Sequence, residues 1–393
     1  MRLAATLSSL LLLACANKSA PDPETLALLS RLHAADPADP VVLYTYARVR
    51  EKAGDTTGAL TWLYELEASG FDDALEPDDF PATLARADAR VVARRLAGRA
   101  RVKIRSELAL TVDANDLYVE GQAHDPRRDR FLLGSGRHRK VVAVDRQGRT
   151  TDLTAPKQDG LLGVLGVKVD AARDQVWVAS TATPFMIEGR PEDAGRSTLH
   201  AFDLATGATR AALTYARAPS LLNDLDVAAD GAVYATDSHA GAVVVARDGQ
   251  ITDLVAPGSF DGPNGIALAP AGDALYVADF RGISRVDLAT RAVARLEAPA
   301  PARSLGGIDG LYVHDGALVG VQNLLGRGRV WRLPLGPGGT SLRAAEILET
   351  GRPDYTNPTT GTFADGSFYY LANPQLRRGE RLKLLRLPLS ATT

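Results

Sequence analysis

The chain has 393 residues, with 45 Lys plus Arg against 47 Asp plus Glu and a formal net charge of −2. That balance excludes recruitment of nucleic acid through a basic field, and a single cysteine excludes an intrachain disulfide and any thiolate-built zinc or iron–sulfur site. Hydrophobic residues at 45% suffice for a sizeable core. The length implies two or three domains, or one large β architecture with an extension.

Residues 1–14 read as a signal peptide. Arg2 supplies a basic start, and Leu3 to Leu13 is an apolar run too short to span a bilayer. The run ends in Leu12-Leu13-Ala14-Cys15, which resembles the bacterial lipobox. That resemblance implies cleavage before Cys15, a lipid on Cys15 and an exported, membrane-anchored lipoprotein. Ala16 and Asn17 carry no Asp retention signal, so the outer membrane is the expected address. An incidental cysteine behind a short apolar start is the alternative.

Residues 15–104 carry helical spacing. Apolar residues three and four apart predict helices over Thr25 to His33, from Val41 onward, over Ala59 to Leu66, and over Ala82 to Leu96. The stretch Pro40 to Phe71 resembles one tetratricopeptide-like unit. A single such unit cannot bury its face alone. It packs on itself or on the next domain, and serves either to dock a protein partner or as a spacer.

From residue 105 the apolar period becomes two, with strands split by Asp/Gly turns. Six units recur in 105–393, about 48 residues each. Their second strands read Phe131–Ser135, Val176–Ser180, Val233–Asp237, Leu275–Asp279, Leu318–Asn323 and Phe368–Asn373. The sixth unit lacks a fourth strand, and Glu107 to Val112 reads as the missing one. The expected fold is mainly β: a six-bladed propeller of four-stranded blades, closed by an N-terminal strand that removes the open edge, and preceded by a small α-helical segment.

The first strands open on Glu120-Gly121, Leu165-Gly166, Asn223-Asp224, Asn264-Gly265, Asp309-Gly310 and Thr360-Gly361. Glycine at the second position lets inner strands approach at a crowded axis. The first positions point at the centre, where Glu120, Asn223, Asn264 and Asp309 converge and no Lys or Arg opens a strand. Two carboxylates and two amide oxygens with water suit a hard cation, Ca²⁺ first, with Mg²⁺, Mn²⁺ or Zn²⁺ as alternatives. A plug of ordered water is the other reading.

With these four openers on four blades, residues 107–393 resemble the six-bladed propellers of the SMP-30/gluconolactonase group, related to paraoxonases and phosphotriester-cleaving propellers. The resemblance implies a bound Ca²⁺ or other divalent ion on Glu120, Asn223, Asn264 and Asp309, with Asp309 as base or nucleophile. It departs at two places. Leu221 stands where gluconolactonase-like members often carry an Arg for a sugar acid, and Thr359 and Thr360 stand where some phosphotriesterase-like members have a His. Strictosidine-synthase-like propellers lack the metal set, which sets this chain apart from that branch.

The implied activity is hydrolysis of a small lactone or ester: the ion polarises the carbonyl, and Asp309 or a metal-held water attacks. A lipid-anchored binding module with a structural metal is the alternative function. Phe185, Met186 and Ile187, in the long Thr181–Ser197 loop, form an apolar lid or a surface excursion. His239 is a proton shuttle or a turn residue. Asn323 and Asn373 end second strands and either line the pocket or cap turns. Asp224 is expected to tie down Asn223. His124 and His314 fall on the far face.

Overall fold

Apolar alternation on strands that face neighbours on both sides can be satisfied only by stacking sheet on sheet. The 105–389 region does this with six four-stranded antiparallel sheets arranged as a ring. We describe the protein from a computed structural model covering residues 23–114, 116–374 and 380–389. The residues of the signal and of Cys15 lie outside this set. Blades 1 to 6 span 119–152, 163–214, 222–255, 266–295, 308–350 and 361–388. Each blade interface holds its own apolar layer; Val164, Val178 and Phe202 meet Leu132 and Val141 between blades 1 and 2.

The ring closes as expected. Glu107–Thr111 pairs antiparallel with Lys383–Pro388 as the outermost strand of blade 6, with Leu108 opposite Leu385. Leu110 and Leu384 are buried with Phe131 and Val142 of blade 1. A second tie lies beside this strand. Glu349 is fully buried and accepts hydrogen bonds from the Ser106 N–H at 2.7 Å and the Ser106 hydroxyl at 2.5 Å. Arg352 approaches the same carboxylate at 3.4 Å. The closing strand is therefore held by a ladder and a charge-assisted bond.

Among the described residues four α-helices precede the ring: α1 (Pro23–Ala35), α2 (Pro40–Lys52), α3 (Thr56–Ala68) and α4 (Ala87–Arg99). Asp39 caps α2 by accepting from the Val41 N–H, and Asp55 caps α3 by accepting from the Gly58 N–H, each at 2.8 Å. The last helix starts later than its spacing suggests. Glu51 accepts from the backbone N–H groups of Ala82 and Thr83 and from the Thr83 hydroxyl, holding a separate turn, Thr83–Ala85. Arg86 is extended (φ −76°, ψ 144°), so α4 begins after it.

The helices do not pack only on each other. Their core of Leu29, Tyr44, Leu63, Phe80 and Leu96 also takes in Phe280 and Leu325 of the propeller. Those two residues follow the second strands of blades 4 and 5, Ala274–Asp279 and Ala317–Gln322. The helical segment thus sits on the ring face where the inner strands begin. Arg329 pairs with Asp72 and Asp73 at 3.3 Å, and Ser304 donates to Asp39 at 3.3 Å.

Candidate functional site

Two local features set the openers apart from the rest of their strands. In blades 1, 2, 3 and 5 the ladder between first and second strands breaks register at the opener: between Val119 and Gly121, Val164 and Val167, Leu222 and Leu225, and Ile308 and Gly310. A bulge frees a residue from the pleat and re-aims its side chain. The glycines then permit close approach. A Cβ on Gly121 would lie 1.9 Å from the Leu165 carbonyl oxygen, and one on Gly265 2.5 Å from that of Asp309. Gly121, Gly166 and Gly265 each abut the backbone of the next blade's opener.

Asp309 is the centre of the arrangement. Asn264, from blade 4, donates through Nδ2 to its Oδ1 at 2.7 Å. Asn323, at the end of the second strand of blade 5, donates to Oδ2 at 2.5 Å. Burial pushes the Asp309 carboxyl up to about 7, against the pull of the Asn323 and Asn264 amides. The Oδ1 of Asn323 is buried and has no hydrogen-bond partner among the described residues. A satisfied donor on one side of the amide and an orphaned acceptor on the other leave an oxygen waiting beside a carboxylate.

The remaining openers divide. Asn223 is held by Ser238, accepting its Nδ2–H at 3.1 Å, and the Ser238 hydroxyl passes on to the Pro263 carbonyl at 2.5 Å. Ser238 therefore does what Asp224 was expected to do. The Asp224 carboxylate accepts instead from the Leu225 N–H at 2.8 Å, and burial pushes it up to about 7 against the attraction of Lys168. Glu120 occupies the bulge of blade 1, half-buried. Thr360, where the related His would stand, shares a 2.9 Å hydrogen bond with the Tyr312 hydroxyl.

His239 lies in a turn organised by Asp237, whose Oδ1 accepts from the backbone N–H groups of Leu221, His239 and Ala240. Asn373 spends both ends of its amide on its own loop, donating to the Arg381 carbonyl and accepting from the Lys383 N–H. Phe185 stacks on Tyr118 at 3.8 Å, and its loop is pinned by the Ile187 N–H donating to the Arg137 carbonyl. Tyr118 is two residues before Glu120, so this stack ties the long blade 2 loop to the segment that leads into the blade 1 opener. His314, on the far face, stacks on Phe363 at 4.3 Å.

Sequence reasoning missed the charges deeper in the channel. Lys168 pairs with Asp226 at 2.9 Å. Burial works against the Lys168 charge, but Asp226 holds its pKa above the ordinary value. A cavity of about 180 Å³ is lined by Gln122, Lys168, Asp224, Tyr312 and Thr360. A wider one of about 530 Å³ opens below, past Lys168, Asp226, His314 and Phe363. Period two supplies the signal: Lys168, Asp226, Tyr312 and Phe363 each stand two residues after a second-position residue, Gly166, Asp224, Gly310 and Gly361.

The donor set suits a hard cation. Glu120, Asn223, Asn264 and Asp309 offer oxygen, and the orphaned Asn323 Oδ1 adds an acceptor. Among the described residues no group of three or more His, Cys, Asp or Glu gathers as a metal cluster. That is compatible with a set built from two carboxylates and amide oxygens.

No family model matches the chain, and no curated protein matches it. Solved structures do. A protein named as a candidate gluconolactonase superposes with a TM-score of 0.50 at 16% identity, over 72% of this chain and 91% of its own. A gluconolactonase from Xanthomonas campestris gives 0.49 at 18% identity, over 73% of this chain and 100% of its own. Virginiamycin B lyase from Staphylococcus aureus gives 0.49 at 13% identity, over 74% and 90%. At these identities the likeness is one of fold, and a fold hosts many chemistries. The chain has the six-bladed propeller fold that it shares with the gluconolactonase-like propellers.

Proposed function

We propose that the protein is a divalent-cation-dependent hydrolase of lactones or esters, with Asp309 as its base, held outside the cytosol by a lipid on Cys15. The observation that carries this reading is the Asp309 carboxylate fixed by amides on both oxygens, at 2.7 and 2.5 Å, one from the neighbouring blade's opener. Glu120, Asn223, Asn264 and Asp309 would hold the cation, Ca²⁺ by their chemistry. When bound, such an ion supplies Lewis-acid polarisation of a carbonyl.

The chain's own residues do the rest. Asp309 takes the proton of an attacking water, and its two amide partners keep the carboxylate in one orientation. The Tyr118–Phe185 stack offers an apolar wall for the substrate body. Leu221 is buried, with its N–H on Asp237, and gives a sugar acid no cationic partner. The expected substrates are therefore more apolar than gluconate. A weak, millimolar-range Ca²⁺ site is at home outside the cytosol, which fits the proposed export.

The test is hydrolysis of a panel of lactones, aryl esters and phosphotriesters by the purified protein, with and without a chelator. Turnover that chelation abolishes and Ca²⁺ restores supports the reading. Turnover that survives both chelation and Asp309→Asn overturns it. An absence of turnover with a Ca²⁺-raised melting temperature overturns the catalytic part in favour of a binding module.

A further inference from the structure

Arg329 is nearly buried, with a side-chain exposure of 6%, and its partner Asp73 is at 1%. The Arg329 guanidinium reaches Asp72 and Asp73 of the helical segment at 3.3 Å. Its other side lies over the Trp331 ring, 5.6 Å from the centroid. The Trp331 indole N–H donates to Gln322 Oε1 at 2.9 Å, and Gln322 Nε2 donates to the Gly306 carbonyl at 2.7 Å. Gln322 is bonded in sequence to Asn323, and Gly306 lies three residues before Asp309. Leu325, two residues after Asn323, is embedded in the helical core. Polar and packing contacts therefore run from the helices to Gln322, Gly306 and Leu325, and one to three residues of backbone join these to both residues of the 2.5 Å Asn323–Asp309 bond.

We infer that the helical segment is a brace of the site, and that Asp73 and Arg329 are positioning residues acting on Asn323 and Asp309 through Trp331 and Gln322. This deepens the reading of Asp309 as the reacting group and rests on it for its functional consequence. A buried fork that spans two carboxylates fixes a guanidinium more firmly than a point charge could. An amide orienting a base loses its value when it can drift by a fraction of an ångström.

The test uses the full chain, ¹⁵N-labelled, and reads the side-chain amide signals of Asn323, assigned by their loss in Asn323→Ala. The variants are Asp73→Asn and, in case that variant does not fold, Arg329→Lys, which keeps the charge but not the fork. Glu67→Gln is the control. It breaks the 2.6 Å pair with Arg95 on the outside of the same helical segment. In the brace variants the Asn323 signals are expected to move and their hydrogens to exchange about tenfold faster. Those of Asn373 stay, and Glu67→Gln changes neither. On the best substrate, kcat falls with KM little changed. Unmoved Asn323 signals in a folded brace variant overturn the inference, whatever the activity. Moved signals in a protein without hydrolytic activity keep the brace and overturn only the hydrolase reading.

Discussion

Asn323 donates its amide to Asp309 at 2.5 Å while its carbonyl oxygen is buried without a partner. Replacing Asn323 by Asp puts a carboxylate in place of the donor. Two carboxylates in this position must share a proton or repel. Asn323→Asp is expected to lose about 1–3 kcal/mol of stability without cation. Added Ca²⁺ should narrow the gap to wild type, and thermal melts in chelator and in Ca²⁺ check both parts.

Gly265 separates packing from conformation. A Cβ there would meet the Asp309 carbonyl oxygen at 2.5 Å and the Leu311 nitrogen at 2.7 Å. Backbone must shift, and it is the backbone that carries Asp309. Gly265→Ala is expected to cost roughly 1–3 kcal/mol and to reduce turnover further than its stability loss explains. Gly98, in α4, has open space around its Cβ direction and no left-handed φ. Gly98→Ala should stabilise by about 0.5–1 kcal/mol with unchanged turnover.

Asp39 caps α2 and meets Ser304 of the propeller, and burial pushes its carboxyl up to about 6. A raised carboxyl favours the protonated native state. Its cost to stability is absent below the ordinary value near 4, grows from there to about 6, and is fully present above. Asn caps as well as Asp. Asp39→Asn should therefore melt higher than wild type at pH 7.5, with the difference gone at pH 4. Paired melting curves at the two pH values are the check.

The buried Glu349 tie offers a test of ring closure without a disulfide. Its carboxylate accepts from Ser106 at 2.7 and 2.5 Å. Glu349→Ala strands those donors and Arg352, and should cost about 2–5 kcal/mol. Protection of the Leu110 amide, in the closing strand, should fall in hydrogen exchange before that of the blade 3 strands.

The propeller was legible because each unit repeats one order of strands and turns. The missing fourth strand of unit 6 pointed to Glu107 to Val112, and the strand runs over Glu107–Thr111. The openers were legible because a glycine follows most of them, and crowding at an axis leaves little other choice. Lys168 was not: the period-two spacing from Gly166 puts it on the strand, but its ion pair with Asp226 of blade 3 joins two blades and leaves no mark in either unit alone. Ser238 was also missed: its link from Asn223 to Pro263 joins two blades, a relation between units rather than within one. The seat of the helices on blades 4 and 5 was beyond reach for the same reason. Phe280 and Leu325 look like ordinary loop hydrophobics until the ring brings them to one face.

The most direct measurement is kcat for Asp309→Asn against wild type, on the best substrate of the panel, at saturating Ca²⁺ and with matched melting temperatures. Asparagine keeps the shape and an oxygen donor but cannot take a proton. The expected loss is roughly 10²–10⁴-fold in kcat. A variant that folds and turns over like wild type would contradict it.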